Sequence, residues 1–590
     1  MAKIQAIPLR EQKRPLNKKS INFKKSMSEQ TIKSFVNDKT KTGLEILEAA
    51  VLLGVLGDSL LRVTPWGLNV FLFVTTLCAA MIGLTLRRRS EFWSVQTASL
   101  HGALIFFAAM FVWRDSIELK LLNTLAIFTI LAILTLPALK IKAQIAGVFQ
   151  YFFAALWSGI NAAFAPFFLV FGDIKWKTIP QTGWTKHLVA VLRGLAIATP
   201  ILLVFGALFM AADAVFEGII QQTFRIDPEI LFTHLLLIGF VSWVSAGYLR
   251  ASLVGSFSTE KTPEIKTPEI KTQTSSVTEP EKDEKENEKE NTAETKPRED
   301  EAKNWEWRTF SNAVLPRVLT LGAIEISIVL GLMNLLFLSF VIVQIPYLFG
   351  GMDLVQNTPD FKLAEYARRG FGELVTVAAL VLPILLVSHW LLRKDNFLNE
   401  KIYRVLAGIQ IVLLFVIMIS AVQRLLLYTG NLGYGLTAQR LYPLTFMIWL
   451  ALVFVWFALT VLRSNREQFA WGALWAALFV LGTLHVLNPD DFIVRTNARL
   501  MSEGRTFDSS YVSELSDDAV PALLDAMPSL NFEQQCLIKN KISRRFETEN
   551  SENDFRTWNW SRFVARKKIA QYGENFAVAD CPAQRIDGDF

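Results

Sequence analysis

With 590 residues, 52% of them hydrophobic and only 19% charged, and with apolar runs of roughly 18 or more recurring, the length that crosses a hydrocarbon core, the chain excludes a soluble globular protein. Its net charge of +6 is unevenly placed, which argues against a generally basic, nucleic-acid-binding chain. Three cysteines are too few for a disulfide framework or a metal site of the usual spacing.

Residues 1–43 form a basic tail. Eleven Lys or Arg and three acids fall between Met1 and Lys41, which suits a cytoplasmic segment beside an anionic leaflet. Residues 44–250 read as a first transmembrane block. Its spans are 44–61, 66–86, 95–113, 119–139, 188–216 and 231–249, and the Arg87, Arg88, Arg89 cluster lies on the same side as the tail. The stretch 143–171 is long enough to cross, but Gln144, Tyr151 and Ser158 recur every seven residues on one helical stripe. It is expected to be interfacial or re-entrant, which leaves Lys175, Lys177 and Lys186 on the basic side.

Residues 251–304 form a linker expected to be disordered and cytoplasmic. Lys-Thr-Pro-Glu-Ile occurs twice in tandem from Lys261 to Ile270, and the Glu- and Lys-rich run that follows has too few apolar residues to offset the entropy of ordering it. A second block, 305–488, carries spans at 318–347, 372–392, 403–428, 441–462 and 469–486. The fold class is thus all-α: a polytopic helical membrane protein of about eleven transmembrane helices in two blocks, or twelve if 143–171 crosses. The last part, 489–590, reads as a small helical extramembrane region. Helices are expected after Asn488, at Ser516-Asp-Asp518 and over about 531–546, followed by a basic, aromatic amphipathic segment around Trp558, Trp560 and Phe563. On the eleven-span count the protein is a multi-pass cell-membrane protein with N-terminus and linker cytoplasmic and C-terminal region extracytoplasmic, where Cys536 and Cys581 are free to pair.

No Walker loop, dinucleotide-binding glycine run, paired-His zinc motif or nucleophile elbow is present. No catalytic residue, metal site or cofactor is therefore assigned. What remains are ionised groups within or at the mouths of spans, each a functional-site hypothesis because lipid does not tolerate an unpaired charge. The stretch Glu365 to Leu374 is the most charged entry to any span. With the Gly- and Tyr-rich loop before Tyr442, it points to an outer-face polar site comprising Asp58, Asp213, Arg368, Arg369, Glu373, Arg424 and Arg440. The competing reading of Asp58 is a local pair with Arg62, one turn on.

Tyr366-Ala-Arg-Arg-Gly-Phe-Gly-Glu-Leu374, Tyr434-Gly-Leu-Thr437 with Arg440 and Tyr442, Phe469-Ala-Trp-Gly472 and Leu487-Asn-Pro489 resemble the bacterial polytopic membrane family called domain of unknown function 4173, close to the related 4153 group. The resemblance covers 318–531 best and 51–86 more loosely, and it implies a membrane protein without implying a reaction. The favoured function is a transporter-like or small-molecule- or lipid-binding membrane protein. The alternatives are a scaffold recruiting protein partners through its linker and tails, and an enzyme acting on a lipid-linked substrate. The expected partners are the lipid bilayer, a small-molecule or lipid ligand and a protein reached through the linker, with no nucleic acid.

Overall fold

The computed structural model describes residues 18–176, 228–254, 322–349, 363–393, 397–426, 429, 435–463, 466–549 and 554–573. The chain divides into two units, 1–38 with 257–310, and 39–256 with 311–590. The first is described only along the helix backbone from Lys18. All that follows concerns the second. The expected linker beyond Val254 and the expected span 188–216 lie outside the described residues, as does Asp213.

The helices are α1 (Lys18–Leu61), α2 (Leu68–Arg88), α3 (Val95–Trp113), α4 (Ile117–Ile133), α5 (Val148–Phe168), α6 (Pro228–Leu253), α7 (Ala323–Phe349), α8 (Leu363–Leu391), α9 (Phe397–Leu426), α10 (Ala438–Thr460) and α11 (Phe469–Leu487). Five shorter ones follow: α12 (Pro489–Ser502), α13 (Ser509–Glu514), α14 (Val520–Ala526), α15 (Phe532–Glu549) and α16 (Trp560–Tyr572). Among the described residues ten helices are long and apolar enough to cross a membrane. In lipid only helices or closed barrels satisfy every backbone N–H and C=O internally, so this is an all-α polytopic helical membrane protein. The apolar half of α1 is not among the ten, because it carries Glu45, Glu48 and Asp58.

Two ends of the bundle can be told apart by their ties. At one, Glu45 of α1 accepts from Arg88 Nε of α2 at 2.6 Å; Arg87 and Arg89 flank Arg88, and Lys140 and Lys142 lie just before Gln144, which bonds Gln96 at the start of α3. At the other, Arg556 donates to Ser59 O and Leu68 N donates to Trp558 O at 3.0 Å, so the C-terminal helices cover that end. Helix α5 is one of the ten, yet both its ends are held at the basic end. Gln96 at the start of α3 bonds Gln144 at 3.0 Å, Arg250 pairs with Asp173 at 2.6 Å, and Lys175 N donates to Thr40 at 3.3 Å. Its contact with α6 is close because position 247 has no side chain; a Cβ there would lie 2.4 Å from Asn161 O. Its opposite stripe, Phe152, Leu156, Ile160 and Phe164, is exposed.

The cores do not follow the order of the chain. Helices α7 to α10 share one apolar core, but Leu474, Leu478, Leu481 and Leu484 of α11 are buried in the core built by α1 to α6. His485 Nε2 of α11 lies 2.8 Å from Asn123 Oδ1 of α4 in the same interface. Helix α11 is therefore the seam between the two blocks.

The small C-terminal helices have their own core, and it runs into the membrane part through Leu436 and Leu441. The chain enters α10 through Gly435, whose φ of +68° suits glycine. There Asn497 of α12 accepts from Leu436 N at 2.6 Å and donates to Leu436 O at 2.9 Å. The expected helix after Asn488 is α12, although Asn488 caps it without a side-chain hydrogen bond. The expected start at Ser516 is displaced to Val520, because Asp518 is engaged elsewhere. Trp558, Trp560 and Phe563 stay exposed beside Trp66 at this end, as aromatic rings at a headgroup level would.

Candidate functional site

A cavity of about 840 Å³ lies along the seam, walled by α4, α10 and α11 with Val375 of α8. Each wall is a single helical face. Glu118, Leu121, Leu122, Leu125, Ala126 and Thr129 of α4 recur at three- and four-residue steps, as do Leu474, Ala477, Leu478 and Leu481 of α11. Leu121 and Leu125 are exposed, so the cavity is a groove open at its α4 side. The hydroxyls of Thr129 and Thr445 bond the carbonyls of Leu125 and Leu441 in their own helices, which leaves the body of the groove apolar. The remaining polar lining groups, Glu118, Gln439 and Tyr442, come from the first turns of α4 and α10. Polarity is confined to the end under the C-terminal helices.

That end is built around the turn between α3 and α4. The Asp518 carboxylate accepts from Asp115 N at 2.7 Å and Ser116 N at 2.9 Å, and Arg114 Nη1 approaches it at 3.4 Å. Ser561 Oγ also lies within hydrogen-bond distance of it. Arg114 Nε donates to His485 O at 2.7 Å, and Asn559 Nδ2 donates to Phe111 O at 2.9 Å. Asp115 is paired with Lys120 at 2.6 Å and Arg562 at 3.2 Å. A turn of the membrane part is thus clamped by α14 and α16 through buried, charge-assisted bonds.

Asp490, in the first turn of α12, is 2% exposed. Its Oδ2 accepts from Ser516 Oγ at 2.5 Å and Ser516 N at 3.2 Å, while its Oδ1 is buried with no hydrogen-bond partner. Burial, reinforced by the negative charges of Asp518 and Glu118, pushes the Asp490 carboxyl up to about 6. Glu118 Oε2 accepts from Ser116 Oγ at 2.9 Å. The Tyr442 hydroxyl lies beside Ser116 but is buried outside hydrogen-bonding geometry. Tyr511 stands in the same field, accepting from Ala438 N at 2.7 Å; burial raises its phenol, with Asp490 and Glu118 adding to the rise and Arg440 opposing it.

Of the seven charged residues singled out from the sequence, Asp58, Glu373, Arg424 and Arg440 have described side chains. Asp58 is paired with Arg62 at 3.2 Å, as the local reading has it, and also meets His234 Nδ1 of α6 at 2.5 Å. Arg424 is buried between α9 and α7, where it donates to Gln344 Oε1 at 2.5 Å; Ser420 donates to the same oxygen at 3.1 Å. Arg440 donates to Gly435 O. Glu373 is exposed on α8, two residues before the groove-lining Val375, and makes no hydrogen bond or ion pair with a described residue. The backbone of Arg368 and Arg369 is helical, but their side chains lie outside the described residues. No ion pair or hydrogen bond among the described residues joins any two of these groups. From the sequence Asp490 and Asp518 read as helix-start acids and Glu118 is not singled out, although Tyr442 and Pro489 stand in the quoted motifs.

A family model described as a domain of unknown function, DUF4153, matches residues 101–526, a stretch that holds the groove and most of the clamp. The chain belongs to the DUF4153 family. It is this group, rather than the related 4173 group, that the match supports. No curated protein and no solved structure matches this DUF4153 member. Among its described residues no group of three or more His, Cys, Asp or Glu is spaced to hold a metal ion.

Proposed function

We propose that this DUF4153 protein binds a lipid-like amphiphile in the seam groove, with the tail between α4, α10 and α11 and the head beneath the C-terminal helices. The observation that carries this reading is the groove's polarity: an apolar body open at exposed Leu121 and Leu125, with Glu118, Gln439 and Tyr442 at one end only. Its volume of about 840 Å³ falls in the ordinary range for ligand sites, roughly 300 to 1,000 Å³. A lateral opening fits a ligand that arrives from the bilayer.

The membrane orientation goes with this reading. Lys39, Lys41, Arg87, Arg88, Arg89, Lys140, Lys142 and Lys175 fall at one end, which supports placing that end in the cytoplasm. The C-terminal helices and the head of the groove are then extracytoplasmic. Cys536 is disulfide-bonded, which supports an oxidising compartment for that region; Cys581, which the extracytoplasmic reading leaves free to pair, lies outside the described residues. Helix α5, tied at both ends to the basic end, is read as lying along the cytoplasmic interface.

Ala477→Trp places an indole in the groove and is expected to strip co-purifying lipid from the protein, as read by native mass spectrometry. Leu121→Trp, at an exposed position that tolerates bulk, is expected to do the same while leaving thermal unfolding unchanged. Retention of the same lipid by both variants would overturn the proposal.

A further inference from the structure

An acyl chain gains no hydrophobic free energy on moving from lipid tails into an apolar groove, because the two surroundings are equally dry. Selectivity must therefore come from the head of the groove, where two carboxylates make no ion pair with a described residue, although the Arg440 charge stands in the same field. Asp115 meets Lys120 and Arg562, Asp517 meets Arg545, and Asp518 meets Arg114 and two backbone N–H groups. Glu118 and Asp490 are different. Serine hydroxyls at positions 116 and 516, with one backbone N–H, are their hydrogen-bond donors. Asp490 is almost wholly buried and keeps one oxygen bare, and Glu118 lines the groove. A buried carboxylate with no opposite charge costs several kcal/mol, and a bare acceptor calls for an N–H or O–H donor. These carboxylates are not spaced to ligate a metal ion.

We infer that the head of the groove selects a primary ammonium, bound at Glu118 with Asp490 behind it, so that the occupant is an amino-lipid. A quaternary ammonium brings the charge without a donor, and a polyol head brings donors without the charge. Of these three heads, only the primary ammonium brings both. This inference rests on the groove being an amphiphile site.

The test uses the full chain, delipidated in detergent at pH 7.5, with phosphatidylethanolamine, phosphatidylcholine and phosphatidylglycerol of identical acyl chains competed by native mass spectrometry. A charge-assisted hydrogen bond corresponds to about tenfold or more in affinity, so phosphatidylethanolamine is expected to win by that factor over both others. Glu118→Gln is expected to bring the three within about twofold without abolishing binding. Asp490→Asn is expected to weaken the preference in the same direction. Free ethanolamine, added at millimolar concentration, is expected not to displace the lipid. Equal binding of the three lipids by the unaltered protein would overturn the ammonium inference, and it would leave the groove standing if Ala477→Trp still removes all of them. Displacement by ethanolamine alone would overturn the amino-lipid in favour of a soluble amine.

Discussion

Asp518→Ala is expected to cost the folded protein about 3 to 5 kcal/mol, the range for removing one partner of a buried charge pair. The Asp518 side chain is fully buried, and its loss strands the Arg114 guanidinium together with the N–H groups of Asp115 and Ser116. Each was desolvated in order to meet that carboxylate. The damage should be local to the clamp, since the bundle core around α3 and α4 is formed by other residues such as Phe107, Phe111 and Ile130. Limited proteolysis should therefore cut the C-terminal helices of the variant well before the membrane part unfolds. A variant as resistant as the unaltered protein, with an unchanged unfolding midpoint, would show that the clamp contributes nothing.

Asp490→Asn should act in the opposite direction, and only above a certain pH. The carboxyl stands at about 6 in the folded protein against an ordinary 3.8, so folding favours its protonated form. The folded state accordingly gives up stability as pH rises from about 4 through about 6 and gains none of it back above that. A displacement of roughly two pH units corresponds to about 3 kcal/mol. At pH 7.5 the delipidated Asn variant should be more stable by about 2 to 3 kcal/mol, and the difference should vanish below about pH 3. An equal gap at both pH values would mean that the carboxylate's charge is not what the site opposes. Adding an amino-lipid at pH 7.5 should narrow the gap, because the bound ammonium offsets the charge.

The spans were legible because lipid imposes a length and a composition: α3 occupies 95–113 as expected, and the membrane-length segments of α2, α4 and α6 to α11 lie on the expected runs, with ends displaced by up to six residues. The partners of the charged groups were not legible. Asp58 finds His234, 176 residues away, and Arg424 finds Gln344, 80 residues away, and no local period encodes such pairs. The site was hidden for the same reason. Glu118, Tyr442, Asp490 and Asp518 each sit at a helix end or turn, where a lone acid reads as an ordinary helix-start preference. The seam itself ran against chain order, since the apolar face of α11 fits the core of the first block.

The most direct test of the groove is photo-crosslinking in intact membranes, with a benzophenone amino acid placed at Leu125 in the groove and, as a reference, at Leu336, which is exposed on α7. Both positions meet lipid. If the groove holds one amphiphile, Leu125 should capture a single lipid class well beyond its share of the membrane, Leu336 should capture the bulk mixture, and Ala477→Trp should abolish the enrichment at Leu125. The same bulk mixture captured at both positions would contradict the account.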